Sequence, residues 1–304
     1  MSGMHAAPLD AHTIFATWNT GVFALVMGAA LLVAAIAYIA GTRTLATRHG
    51  RRWHTWRTVA FVAGLVAIEI ALGASVPALA MTHFSAHVIQ HLLLMVIAPP
   101  LLALGAPMTL ILQTSSRGTK RVLTKALHST PFAVLTHPVT VFFLYFVSMF
   151  AFFLSPALGY AMRNMWLMDL INLGFLGGAT LYWWPMVGLD PIPRWRMTPG
   201  VKLINLLIGI APETVLGLTL LLQGSNSNAP MYSVGSIHVG GGVLWAATEL
   251  ATFVAVIPVF FQWVRSEERA GRRINARIDE GESITVAPLE GHGLASAFKM
   301  MKRT

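Results

Sequence analysis

The chain has 304 residues, of which 55% are hydrophobic and only 11% are charged. This composition excludes an ordinary water-soluble globular domain and favours a protein with several membrane spans. The absence of cysteine excludes disulfides and thiolate metal sites. The net charge of +9 lies mostly between the apolar stretches and at the C-terminus, so it indicates membrane topology rather than a nucleic-acid partner.

Seven apolar stretches are long enough to cross a bilayer, which takes about 20 residues per helix. The alternating pattern of a membrane β-strand is absent, so we predict an all-α, polytopic transmembrane bundle. The spans are expected at 18–40, 57–80, 87–112, 138–158, 165–187, 201–223 and 241–264. Three regions follow, namely an external N-terminal arm (1–17), a seven-helix transmembrane domain (18–264) and a charged cytoplasmic tail (265–304).

The basic residues predict which side of the membrane each loop occupies. Of the 21 Lys and Arg residues, only Arg163 lies in a connection on the same side as the N-terminus. Cytoplasmic loops carry the excess of Lys and Arg, so the N-terminus is expected outside and the C-terminus in the cytoplasm. We expect the membrane to be the plasma membrane.

The predicted outer end of span three carries His83, His87 and His91, with Gln90 beside the last histidine. Residues four apart lie on one face of a helix, so His87 and His91 could hold one ion. The rise from His83 to His91 is about 12 Å, which is too long for all three to bind one ion from a straight helix. The spacing favours either a two-histidine site completed by other helices or a relay of sites. A structural role, as a cap and as interhelical hydrogen bonds, is the alternative.

Soft ligands on the same predicted face favour copper, since thioether and imidazole groups suit that metal. Met168 and Asp169 lie where span five begins, and His238 lies in the predicted external connection 224–240. Further methionines on this face are Met81, Met162, Met165 and Met231. Each methionine could equally be packing material.

Four acids are predicted inside spans, where a carboxylate is costly and indicates function. They are Glu69, Asp169, Glu213 and Glu249. The functional interpretation is a hydrophilic cavity, open outward, in which carboxylates neutralise a bound cation. The alternative is that they form interhelical hydrogen bonds with amides such as Asn172, Asn205 or Gln90.

Two features of the backbone can also be predicted. Pro99, Pro100 and Pro107 remove backbone donors and should kink or break the inner half of span three. Residues 240–242 are three consecutive glycines, which allow a close approach of span seven to a neighbouring helix.

Four segments resemble the CtaG family of cytochrome c oxidase assembly factors, in its actinobacterial branch. The first is "HFSAHVIQHLLLMVIAPPLLALGAP" at 83–107. The others are "LTHPV" at 135–139, "YWWPMVGLDPIP" at 182–193 and the run from Gly240 to Arg273. The resemblance implies about seven helices and a role in maturing haem-copper oxidases by handling copper. His83, His87, Gln90 and His91 are the positions that carry over directly.

The sequence departs from that pattern on the fifth and sixth helices, where many relatives have histidines. Here Met168, Asp169 and Asn172 stand on the fifth helix and Glu213 on the sixth. Either methionine and carboxylate replace imidazole as ligands, or the chain is a divergent paralogue with an altered metal site.

The leading hypothesis is therefore a non-enzymatic membrane assembly factor that receives copper at the outer face and passes it to an oxidase subunit. His87 and His91 would hold the metal, helped by His83, Met168, Asp169 or His238. Besides an oxidase subunit, the expected partner is membrane lipid and not nucleic acid; a homo-oligomer is left open. The alternatives are a haem- or quinone-binding protein and a cation or proton transporter built around the acids.

Overall fold

The structure is a computed structural model that describes residues 11–191, 195–225 and 227–279. Every regular element in these residues is helical. In chain order the helices are α1 (Ala11–Ile14), α2 (Val22–His49), α3 (Thr55–Leu72), α4 (Val76–Ala80), α5 (Phe84–Leu92), α6 (Ala98–Leu104), α7 (Pro107–Thr114), α8 (Arg117–Leu127), α9 (Thr130–Leu135), α10 (Pro138–Phe153), α11 (Ala157–Arg163), α12 (Met165–Val187), α13 (Pro199–Leu221) and α14 (Val234–Asp279).

Five helical segments among the described residues are long and apolar enough to cross a membrane. They are α2, α3, the segment Phe84–Thr114 that includes α5, α6 and α7, then α13 and α14. Helices α10 and α11 form a sixth if this pair, bent by 74°, counts as one span. Helix α12 has 23 residues and is not among these segments. These segments support a multi-pass membrane protein, and the count of seven stays a prediction.

The third apolar segment is broken as its prolines predict. A π-helical turn at Leu93–Ile97 separates α5 from α6, immediately before Pro99 and Pro100. A second break follows, where Ala106 adopts a left-handed conformation with φ 47° before Pro107 begins α7.

Two predicted boundaries are wrong. Span two was expected to run to residue 80, but α3 ends at Leu72 and a separate short helix, α4, follows. The connection 224–240 was expected to be a loop, but α14 begins at Val234 and contains His238. The reason is local, because the Ser233 hydroxyl accepts a hydrogen bond from the Ser236 amide at 3.2 Å, and this is how a serine caps a helix N-terminus.

Helix α14 continues past residue 265 to Asp279, so the predicted tail begins as a helix. The first ten residues of the predicted arm and residues 280–304 of the tail lie outside the described residues.

Helices α13 and α14 pack with their backbones very close together. A Cβ atom built at Gly241 would lie 2.5 Å from the Leu221 amide nitrogen, and one at Gly217 would lie 2.6 Å from Cβ of Trp245. A Cβ atom at Gly240 would lie 2.3 Å from the Phe84 ring on α5. The predicted close approach is confirmed at Gly240 and Gly241, and it fixes α14 against the helix that carries the histidines.

Candidate functional site

A cavity of about 420 Å³ lies where the N-terminal part of α12 faces α4, α5 and the segment before α2. Its lining brings together His87 and Gln90 of α5 with Met168, Asp169 and Asn172 of α12. These two helices are separated by more than 70 residues of sequence. Three more methionines contribute to the lining, namely Met81, Met162 and Met165.

His87 and His91 are in direct contact beside this cavity. Their Nε2 atoms are 2.9 Å apart, so one of the two imidazoles donates a hydrogen bond to the other. Each is only 1% exposed. His87 lines the cavity, while His91 is packed against Phe152, Phe153 and Phe175 at ring-centroid distances of 4.8 to 5.4 Å. His91 Nδ1 is buried and has no hydrogen-bond partner in the described residues.

Tyr232, from the connection before α14, lies beside His87. Its hydroxyl donates a hydrogen bond to the Ala80 carbonyl and lies 3.5 Å from His87 Nδ1 and 3.7 Å from Met162 Sδ. Burial raises the pKa of the Tyr232 phenol, so the phenol stays protonated at neutral pH. An imidazole nitrogen and a thioether sulfur are thus close to one neutral hydroxyl.

Helix α12 contributes three side chains to the cavity, namely Met168, Asp169 and Asn172. Asn172 is buried, and its Oδ1 atom has no hydrogen-bond partner within the described part of the chain. Met168 and Asp169 line the same cavity one turn nearer the start of the helix. An unsatisfied buried carbonyl oxygen is costly, and a bound water, cation or ligand group would remove that cost.

Sequence comparison identifies the family. The model of the cytochrome c oxidase caa3 assembly factor family (Caa3_CtaG) matches residues 36–266, which is most of the chain and all of α5 and α12. The chain belongs to this family.

Three mycobacterial relatives also match. Uncharacterized proteins of Mycobacterium bovis and Mycobacterium tuberculosis are each 31% identical over 275 residues, which is 84% of this chain and 41% of the relative. One from Mycobacterium leprae is 30% identical over 283 residues, 87% of this chain and 42% of the relative. The chain thus spans about two fifths of the length of these relatives. No solved structure matches the chain.

The two other candidate residues near His87, Gln90 and His83, form hydrogen bonds with neighbouring parts of the chain. Gln90 donates to the Ala71 carbonyl in the last turn of α3 at 2.9 Å, so its amide joins two helices at the edge of the cavity. His83 precedes α5, is half-buried, and its Nδ1 lies 2.9 Å from the Thr82 hydroxyl. His83 is not in the cavity lining.

His238 also lies elsewhere. Its Nε2 is 2.7 Å from the Gln223 carbonyl, so it hydrogen-bonds the end of α13 from the first turns of α14. Met231 is exposed and does not line the cavity. The residue of this connection that contacts His87 is the neighbouring Tyr232. The sequence did not predict this contact, because Tyr232 lies outside the periodic pattern of a helix.

Three of the four predicted intramembrane acids are not in this cavity. Glu69 accepts from the Trp18 indole at 2.9 Å. Glu213 accepts from the Thr252 hydroxyl at 3.3 Å, and Glu249 accepts from the Thr214 hydroxyl. The last two bonds join α13 and α14, which is the interhelical role that stood as the alternative, with threonine instead of amide partners. Only Asp169 lines the cavity.

No group of three or more His, Asp and Glu side chains in the described ranges is arranged to hold a metal ion. A metal bound in the cavity would therefore need thioether, amide or water ligands besides His87. The thioether ligands of such a set are soft, and the set would bind a metal more weakly than a closed four-ligand structural site does.

Proposed function

We propose that this member of the oxidase assembly factor family handles copper during maturation of a haem-copper oxidase. The observation that carries the proposal is the cavity in which His87 meets Met162, Met168 and Asp169. Imidazole and thioether groups suit copper, and a nearby carboxylate offsets its charge. The partner is a subunit of the oxidase that accepts the metal.

Transfer requires a site that releases its cargo. The set at hand offers one imidazole facing the cavity and methionines from three segments, of which Met165 lies exposed at the rim. Ligands of this kind exchange more readily than a cage of thiolates, which this chain cannot form because it has no cysteine.

His91 acts as support for His87 in the unloaded protein. A separation of 2.9 Å between the two Nε2 atoms is too short for an ion between them, because each metal–nitrogen bond takes about 2.0 Å. Binding through both rings would break their hydrogen bond and move them apart by up to about 1 Å. Binding through His87 Nδ1 together with methionine sulfur would leave the Nε2–Nε2 hydrogen bond to His91 in place.

The proposal also includes the sidedness and the span count. We infer seven spans in the plasma membrane, with α12 as the fifth, the cavity at the outer face and α14 ending in the cytoplasm. The distribution of Lys and Arg supports this orientation.

The copper content of the purified protein tests the proposal. Protein in detergent would be loaded with Cu(I) under reducing conditions, passed over a desalting column and analysed for metal and haem. We expect bound copper without haem in the wild type, loss of copper in the double variant His87→Leu/His91→Leu, and weaker binding in Met168→Leu. The matched control is Met231→Leu, which removes an external methionine outside the cavity.

Equal copper content in the wild type and in a correctly folded His87→Leu/His91→Leu protein would refute the copper site. If the double variant does not fold, the copper contents of Met168→Leu and Met231→Leu are compared instead. An equal copper content in these two variants would also refute the copper site. Stoichiometric haem would favour the haem-binding alternative.

A further inference from the structure

A second cavity, of about 440 Å³, lies at the opposite end of α12. It is formed by the end of α12, residues 188–191 and 196–197 of the connection that follows, α7 and the first turn of α13. Helix α12 has 23 residues, so the two cavities are about 30 Å apart along its axis. The proposed copper function does not use this second cavity.

Lys202 is the central feature of this cavity. It lines the cavity and is only 7% exposed. Its Nζ atom lies against Gly188, where a Cβ atom would approach it to 2.5 Å. Among the described residues no hydrogen bond or ion pair to the Lys202 ammonium is found, although buried charges are normally paired.

Two further unpaired donors line the same cavity. Arg196 lies exposed at its rim, and the amide of Gln113 comes from α7. Neither side chain has a hydrogen bond within the part of the chain that the structure describes. The three residues offer two positive charges and several N–H groups to one ligand, which is the donor set that proteins use for phosphate groups.

The carboxylate in the cavity wall does not supply the missing partner. Asp190 accepts hydrogen bonds from the Met108 amide at 3.2 Å and from the Thr109 amide and hydroxyl at 2.7 Å each. Its charge is thus taken up by the N-terminus of α7. Burial raises the pKa of Asp190, and the hydrogen bonds from α7 act in the opposite direction.

We propose that the cavity between α7, α12 and α13 binds a phosphate group through Lys202, Arg196 and Gln113. The phosphate belongs either to the headgroup of an anionic phospholipid or to a soluble molecule. The cavity lies at the end of the bundle that carries the basic connections, and basic pockets between membrane helices on that side are suited to anionic headgroups.

The experiment uses the full chain in nanodiscs and measures thermal unfolding. In the first arm the lipid is phosphatidylcholine alone, and inorganic phosphate is titrated against chloride at equal ionic strength. In the second arm phosphatidylglycerol replaces part of the phosphatidylcholine. Saturable stabilisation by phosphate indicates a soluble source of the ligand, and stabilisation by phosphatidylglycerol alone indicates a lipid source.

Variants test whether the phosphate binds in this cavity. We expect Lys202→Gln and Arg196→Gln each to weaken the binding about tenfold or more, as loss of a hydrogen bond to a charged group does. Arg117→Gln, on the basic helix α8, should leave it unchanged. If Lys202→Gln does not fold, Arg196→Gln and Gln113→Leu carry the test.

No stabilisation in either arm would overturn the proposal. So would an equal loss in Arg117→Gln, because that would indicate a general effect of surface charge, or undiminished binding in folded Lys202→Gln, Arg196→Gln and Gln113→Leu proteins.

Discussion

Alanine at Gly241 should separate the two most closely packed helices, whereas alanine at the next residue should be harmless. A Cβ atom at Gly241 would lie 2.5 Å from the Leu221 nitrogen and 2.9 Å from the Gly217 carbonyl oxygen, which are both backbone atoms. A Cβ atom at Gly242 would lie 3.7 Å from Leu221 Cδ1, an ordinary contact. The two variants therefore add the same methyl group to the same helix in different surroundings.

The size of the effect follows from these distances. Relief of the Gly241→Ala clash requires the backbones to move apart by roughly 1 Å, and overpacking of this kind costs about 1–3 kcal/mol. Gly242→Ala makes no clash and gains up to about 1 kcal/mol from the better helix propensity of alanine. We expect the free energies of unfolding of the two variants to differ by about 1–4 kcal/mol.

Thermal unfolding of the detergent-purified variants, followed by tryptophan fluorescence, measures this difference. Gly241→Ala should unfold several degrees below the wild type and Gly242→Ala at or above it. Equal midpoints for the two variants would refute the close packing of α13 on α14 in the arrangement described.

Three further outcomes are expected. Glu213→Gln keeps an acceptor for Thr252 and should change the free energy of unfolding by less than about 1 kcal/mol; a variant that fails to fold would show that the carboxylate has a role beyond the hydrogen bond between α13 and α14. Tyr232→Phe loses the hydrogen bond of a buried phenol to a backbone carbonyl and should cost about 1 kcal/mol or more in the same assay, so an unchanged midpoint would contradict that contact. For sidedness, a reporter fused after Arg273 should be active only as a cytoplasmic marker and one inserted at Asn228 only as an external marker; the reverse pattern would place the His87 cavity on the wrong side for the proposed function.

The sequence predicted those parts of the site that depend on one helix. The spacing of His87 and His91 places them on one face, and the structure confirms direct contact, with their Nε2 atoms 2.9 Å apart. The break in the third apolar segment is likewise a local consequence of its prolines. In both cases the determining residues lie within a few turns of each other.

Contacts between distant segments could not be predicted in the same way. Periodicity shows which face of α12 carries Asp169 and Asn172, but not that this face meets α5. The acids were expected around one cavity, and Glu213 and Glu249 instead bond to threonines between α13 and α14. A position inside a span does not specify which neighbouring helix the side chain meets.

The copper content of the assembled oxidase tests the central claim most directly. In cells that lack this gene and any relative of it, the terminal oxidase would be isolated and its copper-to-haem ratio measured after complementation. We predict a low ratio without the gene, a normal ratio with the wild type or with His238→Gln, and a low ratio with a membrane-inserted His87→Leu protein. A normal ratio in the cells that lack the gene, or full restoration by His87→Leu, would contradict the account.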